Sequence, residues 1–184
     1  DLIITTGPAV EAAALFASLF PDQIDCEDDR LARVAAMLDE LDVVRDTRAI
    51  AEINGISAMH DITEGGLLGA CNEMAAGADV QFRVDSDRVP IDDDVAAVCS
   101  TLDMDPWRAT SSGSLLLAVD PDATDDVLAA LRDRGTTAAV IGSVESGSVA
   151  SETRVVRDGE PTEPPVGDSS WPVYERLLTA ADDA

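Results

Sequence analysis

Residues 60–75, HDITEGGLLGACNEMA, open with the only histidine of the chain, pass Asp61, Glu64 and a Gly-Gly pair, and then turn apolar. Leu67, Cys71, Met74 and Ala75 recur at the spacing of one helix face, which predicts a helix from about residue 65 to 76. The seven residues before the loop, ISAMHDI, are short and largely apolar and read as a strand. Strand, glycine turn and helix is therefore the unit from which the rest of the chain is read.

The same order opens the sequence. Leu2 to Thr5 predicts a short strand closed by Gly7-Pro8, and AVEAAALFASLF a helix that ends before Pro21. CEDDRLARVAAMLDEL puts Leu31, Val34, Ala35, Leu38 and Leu41 on one helix face, with carboxylates in the first turn where the helix dipole favours them. RDTRAIAEI continues as a helix up to Asn54-Gly55. DVQFRVD alternates Val80, Phe82 and Val84 with polar neighbours, the signature of a half-buried strand. An Asp triplet begins a helix over 92–102, SLLLAVD is a buried strand after an SSG turn, and ATDDVLAALRDRG is a helix with Gly135 past its end. TAAVIGSV is a further strand, and a hairpin through a turn around Ser146-Gly147 is expected to join it to SVASETRVV. Residues 158–171 read as a loop or surface arm, and residues 172–184 as a C-terminal helix. No internal repeat emerges. Hairpin-like and helix-linked connections occur together, so the expectation is one α+β domain over 1–184, a layered mixed β-sheet with packed helices.

The charge balance restricts the partners. Against 37 acidic residues stand 12 basic ones, all Arg, for a formal net charge of -25 at pH 7. A nucleic-acid backbone or an anionic membrane would be repelled, because binding either depends on clustered Lys and Arg. The carboxylates are spread over helix faces and loops, as in CEDDR, IDDDV and PDATDD, and 46% of the residues are apolar, so the chain is expected to fold rather than stay disordered. Dispersed carboxylates of this density fit a salt-rich, halophilic cytoplasm, where ions screen their repulsion. Cys26, Cys71 and Cys99 are odd in number and widely spaced, which favours neither a disulfide framework nor a zinc site. No signal peptide or apolar run of membrane-spanning length is present, and the chain begins at Asp1 inside an apparent strand, which reads as a piece of a longer protein.

Three loops can carry chemistry. In the first, Asp61 and Glu64 stand at capping-box spacing, so both carboxylates can simply cap the helix that follows. Gly65 and Gly66, however, each cost about 1 kcal/mol relative to Ala in a helix, and a cap does not need them. Glycines there let a ligand approach the backbone, and the free N–H groups of a helix N-terminus are an anion site. With two carboxylates beside it, a phosphate would need one of them engaged in capping, or a Mg²⁺ ion between. His60 can donate to an anion or act as an acid or base near neutral pH, or can be a structural residue at a strand end. In the second loop, RATSSGSLLLAVD, Ser111, Ser112 and Gly113 offer hydroxyls and amides, with Arg108 as a phosphate partner; Ser-Gly is equally a plain turn. The third, TTGPAVE around Thr5 and Gly7, repeats the strand-glycine-helix pattern without G-x-G-x-x-G or G-K-[ST]. No G-x-S-x-G elbow occurs.

Taken in order, TTGPAVEAAALFA, MHDITEGGLLGACNEMA, DPWRATSSGSLLLAV and AAVIGSVESG resemble the C-terminal domain of the aminoimidazole ribonucleotide (AIR) synthase superfamily. The likeness runs from about residue 2 to 146, with H-D-x-T-x-G-G-L its most specific part, and is nearest to HypE-like and archaeal AIR synthase-related proteins. The superfamily spans purine biosynthesis and hydrogenase maturation. The resemblance implies a two-domain cytoplasmic enzyme, usually a homodimer, that uses ATP and Mg²⁺ to activate a carbonyl-type oxygen of a small-molecule, phosphorylated or carbonyl substrate. Most ATP and metal ligands are then expected in an N-terminal domain not contained in residues 1–184, so this chain alone is expected to be inactive and to hold no metal of its own.

Carried over, the resemblance assigns His60 and Asp61 to catalysis. It assigns Thr63, Glu64, Gly65, Gly66, Ser112, Gly113, Thr5 and Gly7 to substrate or phosphate binding. Two departures stand out: Thr6 and Ala9 occupy positions where the family often has Lys and Gly, and no Cys follows Cys99, whereas HypE ends on a reactive cysteine. A non-catalytic module of the same fold that binds a phosphorylated metabolite, or serves structurally, is the alternative.

Overall fold

The computed structural model describes residues 1–145 and 153–182. Seven strands form one sheet: β1 (Leu2–Thr5), β2 (Ile56–Ile62), β3 (Gln81–Val84), β4 (Ser114–Val119), β5 (Ala138–Glu145), β6 (Val155–Arg157) and β7 (Glu160–Thr162). Their order across the sheet is β2-β4-β1-β5-β3-β6-β7, antiparallel throughout except for the parallel β3–β6 pair. The first strand of the chain is therefore central, and LIIT is buried at every position.

Alternation along the strands divides the interior into layers. Leu2, Ile4, Ile62, Phe82, Leu116 and Ile141 face α4 (Gly66–Ala78), which contributes Leu67, Cys71 and Ala75 as the sequence predicts. Ile3, Leu115, Leu117 and Val119 point the other way, toward Ile50 of α3 (Val43–Ile50) and Val127 and Leu131 of α6 (Thr124–Asp133). A third cluster joins α1 (Val10–Leu19), α2 (Asp28–Ala36), α5 (Asp93–Thr101) and α7 (Ser170–Asp182) around Phe16, Leu31, Val34, Val98 and Leu177. The layered α+β arrangement expected from the sequence is the one observed.

Two expectations in the C-terminal part are corrected. Strands β5 and β6 are not a hairpin, because β3 lies between them and pairs with both; the turn expected around Ser146-Gly147 lies outside the described residues. The hairpin is instead β6–β7, closed by Asp158 at φ 53° and Gly159 at φ 86°. Paired left-handed residues match the right-handed twist of flanking strands, which is why Asp-Gly is a strong hairpin signal. The stretch 158–171 thus carries the edge strand β7 rather than being loop throughout. Helix α7 starts at Ser170, whose N–H and hydroxyl both donate to Asp168.

Candidate functional site

The 60–66 stretch leaves the sheet at its edge, since β2 pairs only with β4. Gly65 and Gly66 follow with φ of 80° and 63°, left-handed values that only glycine adopts readily. A Cβ on Gly66 would stand 2.7 Å from the Ala109 carbonyl oxygen and 2.8 Å from that of Trp107. The close approach that the glycine allows is thus by the chain's own 107–109 backbone. The amides nearby are used in the same way: Gly65 N–H donates to Asp168 Oδ2 (2.8 Å), Gly66 N–H to the Thr63 carbonyl (3.1 Å) and Leu68 N–H to the Trp107 carbonyl (3.0 Å).

The capping box expected between Asp61 and Glu64 is not formed. Helix α4 begins at Gly66 with Gly65 as a cap that has no side-chain bond, and Asp61 is still in strand β2. Glu64 turns instead to Trp171, accepting its indole N–H at 3.1 Å. Asp61, Thr63 and Glu64 are exposed, while Gly65 and Gly66 are buried. His60 lies between two carboxylates, with Nε2 2.9 Å from Glu73 Oε2 and Nδ1 3.5 Å from Asp61 Oδ1. Its side chain keeps 28% exposure, so a proton can pass between ring, carboxylates and solvent, and the same contacts can tie β2 to α4. Cys71, buried in α4, is no nucleophile: burial pushes its thiol up to about 12.

The other two loops are stitched to each other. Ser111, fully buried, accepts the Ala9 N–H at 2.7 Å and donates to the Ala109 carbonyl at 2.8 Å. Ser114 donates to the Gly7 carbonyl (2.8 Å), Leu115 N–H donates to the Thr5 hydroxyl (3.0 Å), and the Thr6 hydroxyl donates to the Gly113 carbonyl (3.3 Å). Glu11, which the sequence reading missed, accepts Ser112 N–H at 2.7 Å and the Thr110 hydroxyl at 3.2 Å. Thr5, Gly7, Ser112 and Gly113 therefore form one unit, and Ala109 links it to Gly66.

Linkage is not convergence. Thr6 borders a cavity of ≈ 190 Å³ with Arg45, Asp46, Thr136 and Thr137, and none of residues 60–66 lines it. Arg108, expected as a phosphate partner, points toward the arm and donates through Nη2 to the Gly167 carbonyl at 3.3 Å. Among the described residues no cluster of three or more His, Cys, Asp or Glu side chains can hold a metal ion. No helix among the described residues is long and apolar enough to cross a membrane. Asp168 and Trp171 were also missed; the signal for Asp168 was the D-S-S-W-P run, a helix start with a carboxylate ahead of a first-turn proline.

With this geometry in view, the chain can be set beside known proteins. It is 40% identical over 91 residues to the carbamoyl dehydratase HypE of Rhizobium leguminosarum bv. viciae, covering 48% of this chain and 26% of that protein. It is 34% identical over 125 residues to a putative hydrogenase expression/formation protein of Methanocaldococcus jannaschii, covering 66% of this chain and 37% of the relative. The chain thus spans less than half the length of these relatives. The fold matches the crystal structure of Escherichia coli HypE with a TM-score of 0.72 at 22% identity, over 94% of this chain and 52% of that one. Residues 1–153 match the family described as AIR synthase related protein, C-terminal domain, and the chain belongs to that family.

Proposed function

We propose that this domain is the C-terminal, substrate-side part of an ATP-dependent enzyme of HypE type, which activates a carbonyl-type oxygen by phosphoryl transfer. In that reading the acceptor oxygen takes the γ-phosphoryl group and ADP leaves; the phosphorylated oxygen then departs as phosphate while a nitrogen of the substrate forms the replacing bond to that carbon and gives up its proton to a base or to water. The observation that carries it is the exposed rim of the 60–66 stretch: His60 and Asp61 in contact at a strand end, beside the loop that presents Thr63 and Glu64. Relatives described as carbamoyl dehydratases support the acceptor class, and a solved HypE complex with ATP supports the donor. Mg²⁺, needed to carry a polyphosphate past Asp61 and Glu64, then draws most of its ligands from outside residues 1–184. A homodimeric, cytoplasmic enzyme of hydrogenase maturation is the corresponding biological setting.

The test is Mg-dependent ATP turnover by the full-length protein with a carbamoyl-bearing acceptor. Asp61→Asn and His60→Ala should each lower kcat/KM by about 10²-fold, the low end of what a positioned acid or base contributes. Absence of ATP turnover with every carbonyl-type acceptor would reject the proposal. A second reading, a non-catalytic module of the same fold that serves structurally, is favoured by the internal use of the Gly65, Gly66 and Leu68 amides, which leaves them unavailable to an anion. Unchanged turnover and unchanged ligand binding in both variants would select it.

A further inference from the structure

The family match ends at residue 153, yet the segment beyond it reaches back to the 63–66 loop by two hydrogen bonds and an adjacent proline ring. Asp168, 8% exposed, accepts the Gly65 N–H through Oδ2 at 2.8 Å, while Oδ1 holds the start of α7 through Ser170. Trp171 donates its indole N–H to Glu64 Oε1 at 3.1 Å. The Pro165 ring lies 3.6 Å from where a Cβ on Gly65 would sit. Helix α7 is itself anchored away from the loop, by Val173 and Leu177 in the core and by Arg176 Nη2 on the Leu102 carbonyl at 2.7 Å.

We infer that residues 163–182 are a clasp that sets the 63–66 loop for its ligand, with Asp168 and Trp171 as positioning residues. The physical case is preorganisation. A loop with two left-handed glycines in a row samples many conformations unless it is tied down, and each tie made before binding lowers the ordering cost at binding. The ties are selective: Asp168 takes the Gly65 amide, closing it to an anion, and Trp171 fixes the direction of the Glu64 carboxylate. What remains accessible is the side-chain rim of the loop rather than its backbone. The functional half of this inference rests on the reading proposed above.

The experiment uses the full-length protein and two readouts. Hydrogen exchange of the peptide covering residues 63–66 reports the clasp directly, and steady-state kinetics with Mg-ATP report its use. Trp171→Phe keeps a ring but removes the donor to Glu64, and Asp168→Asn keeps an acceptor but removes the charge. Both should speed exchange at 63–66 by at least about tenfold and raise KM for Mg-ATP about five- to tenfold, with kcat within twofold. Gly135→Ala, which strains a turn outside the clasp, should lower the melting temperature yet leave loop exchange and KM unchanged. Unaltered exchange at 63–66 in both clasp variants overturns the inference, as does a Gly135→Ala protein that behaves like them. If the wild type shows no ATP turnover, the proposed function fails, and the exchange result alone still decides the clasp.

Discussion

Gly66 shows how a residue legible in sequence can have neighbours that the sequence hides. That a glycine pair breaks the first turn of a helix is visible in EGGLL; that the approaching backbone is Trp107 to Ala109 is not, because the partner lies some forty positions away and only β2–β4 pairing brings it near. The same reasoning separates glycines that look alike. Gly66 has φ 63° and would drive a Cβ into two carbonyl oxygens, whereas Gly135 has φ 80° with open space around it. Gly135→Ala should cost about 1–2 kcal/mol, the left-handed penalty alone. Gly66→Ala adds overpacking against the 107–109 backbone, and should cost about 2–5 kcal/mol in all. Urea unfolding of the two variants beside the wild type measures the difference, and equal losses would show that the 107–109 segment shifts to make room. Ser111 belongs to the same lesson: its hydroxyl reads as a candidate ligand in RATSSGS but is spent on Ala9 and Ala109 inside the protein.

At the level of elements, strands and helices whose apolar period is long and clean were readable, and pairing was not. LIIT, ISAMHDI and the α4 face are where the sequence places them. The β5–β6 hairpin fails because adjacency in sequence was taken for adjacency in the sheet, while R-D-G-E, the true hairpin turn, was hidden in a proline-rich stretch. Between helices, charge does work that periodicity does not reveal. Asp94 in α5 accepts Arg33 Nε at 2.7 Å and Arg30 Nε at 2.9 Å, clamping α5 to α2. Those two guanidinium hydrogen bonds, Arg33 first, hold the Asp94 carboxyl below its ordinary value. A carboxyl depressed in the folded state stabilises the fold above its unfolded pKa, about 3.9, and loses that contribution as pH falls through the lower folded value. Asp94→Asn should therefore be less stable than the wild type at pH 7, with the gap closing as pH drops below about 4. Melting temperatures of both proteins at pH 7, 5 and 3 test this, and a gap that stays constant would show that the clamp acts by packing alone. Comparing the pair matters, because acid also relieves the general repulsion among carboxylates.

That repulsion is a property of the whole molecule. The chain holds 37 acidic residues; among the described residues Asp79, Asp94 and Glu145 form ion pairs with arginines and Asp61 and Glu73 flank His60, so most of the described carboxylates have no cationic partner within 4 Å. Salt acts on the two populations in opposite directions. The Arg30, Arg33 and Asp94 contacts weaken as ions screen them, and exposed pairs of this kind contribute little to stability. The unpaired majority gains, because the screening length falls from about 10 Å at 0.1 M to about 3 Å at 1 M, below the typical spacing of surface carboxylates. Many small repulsions removed outweigh a few attractions lost, so the melting temperature should rise with KCl. A relief of about 3 kcal/mol corresponds to about 6–12 °C for a chain of this size. Thermal melts followed by circular dichroism from 0.1 to 2 M KCl would show the rise, and glutamate in place of chloride should give the same curve at equal ionic strength if screening is the cause. A flat or falling curve would mean that the acidic surface is already accommodated at low salt, and would remove the reason for reading this composition as an adaptation to a salt-rich interior.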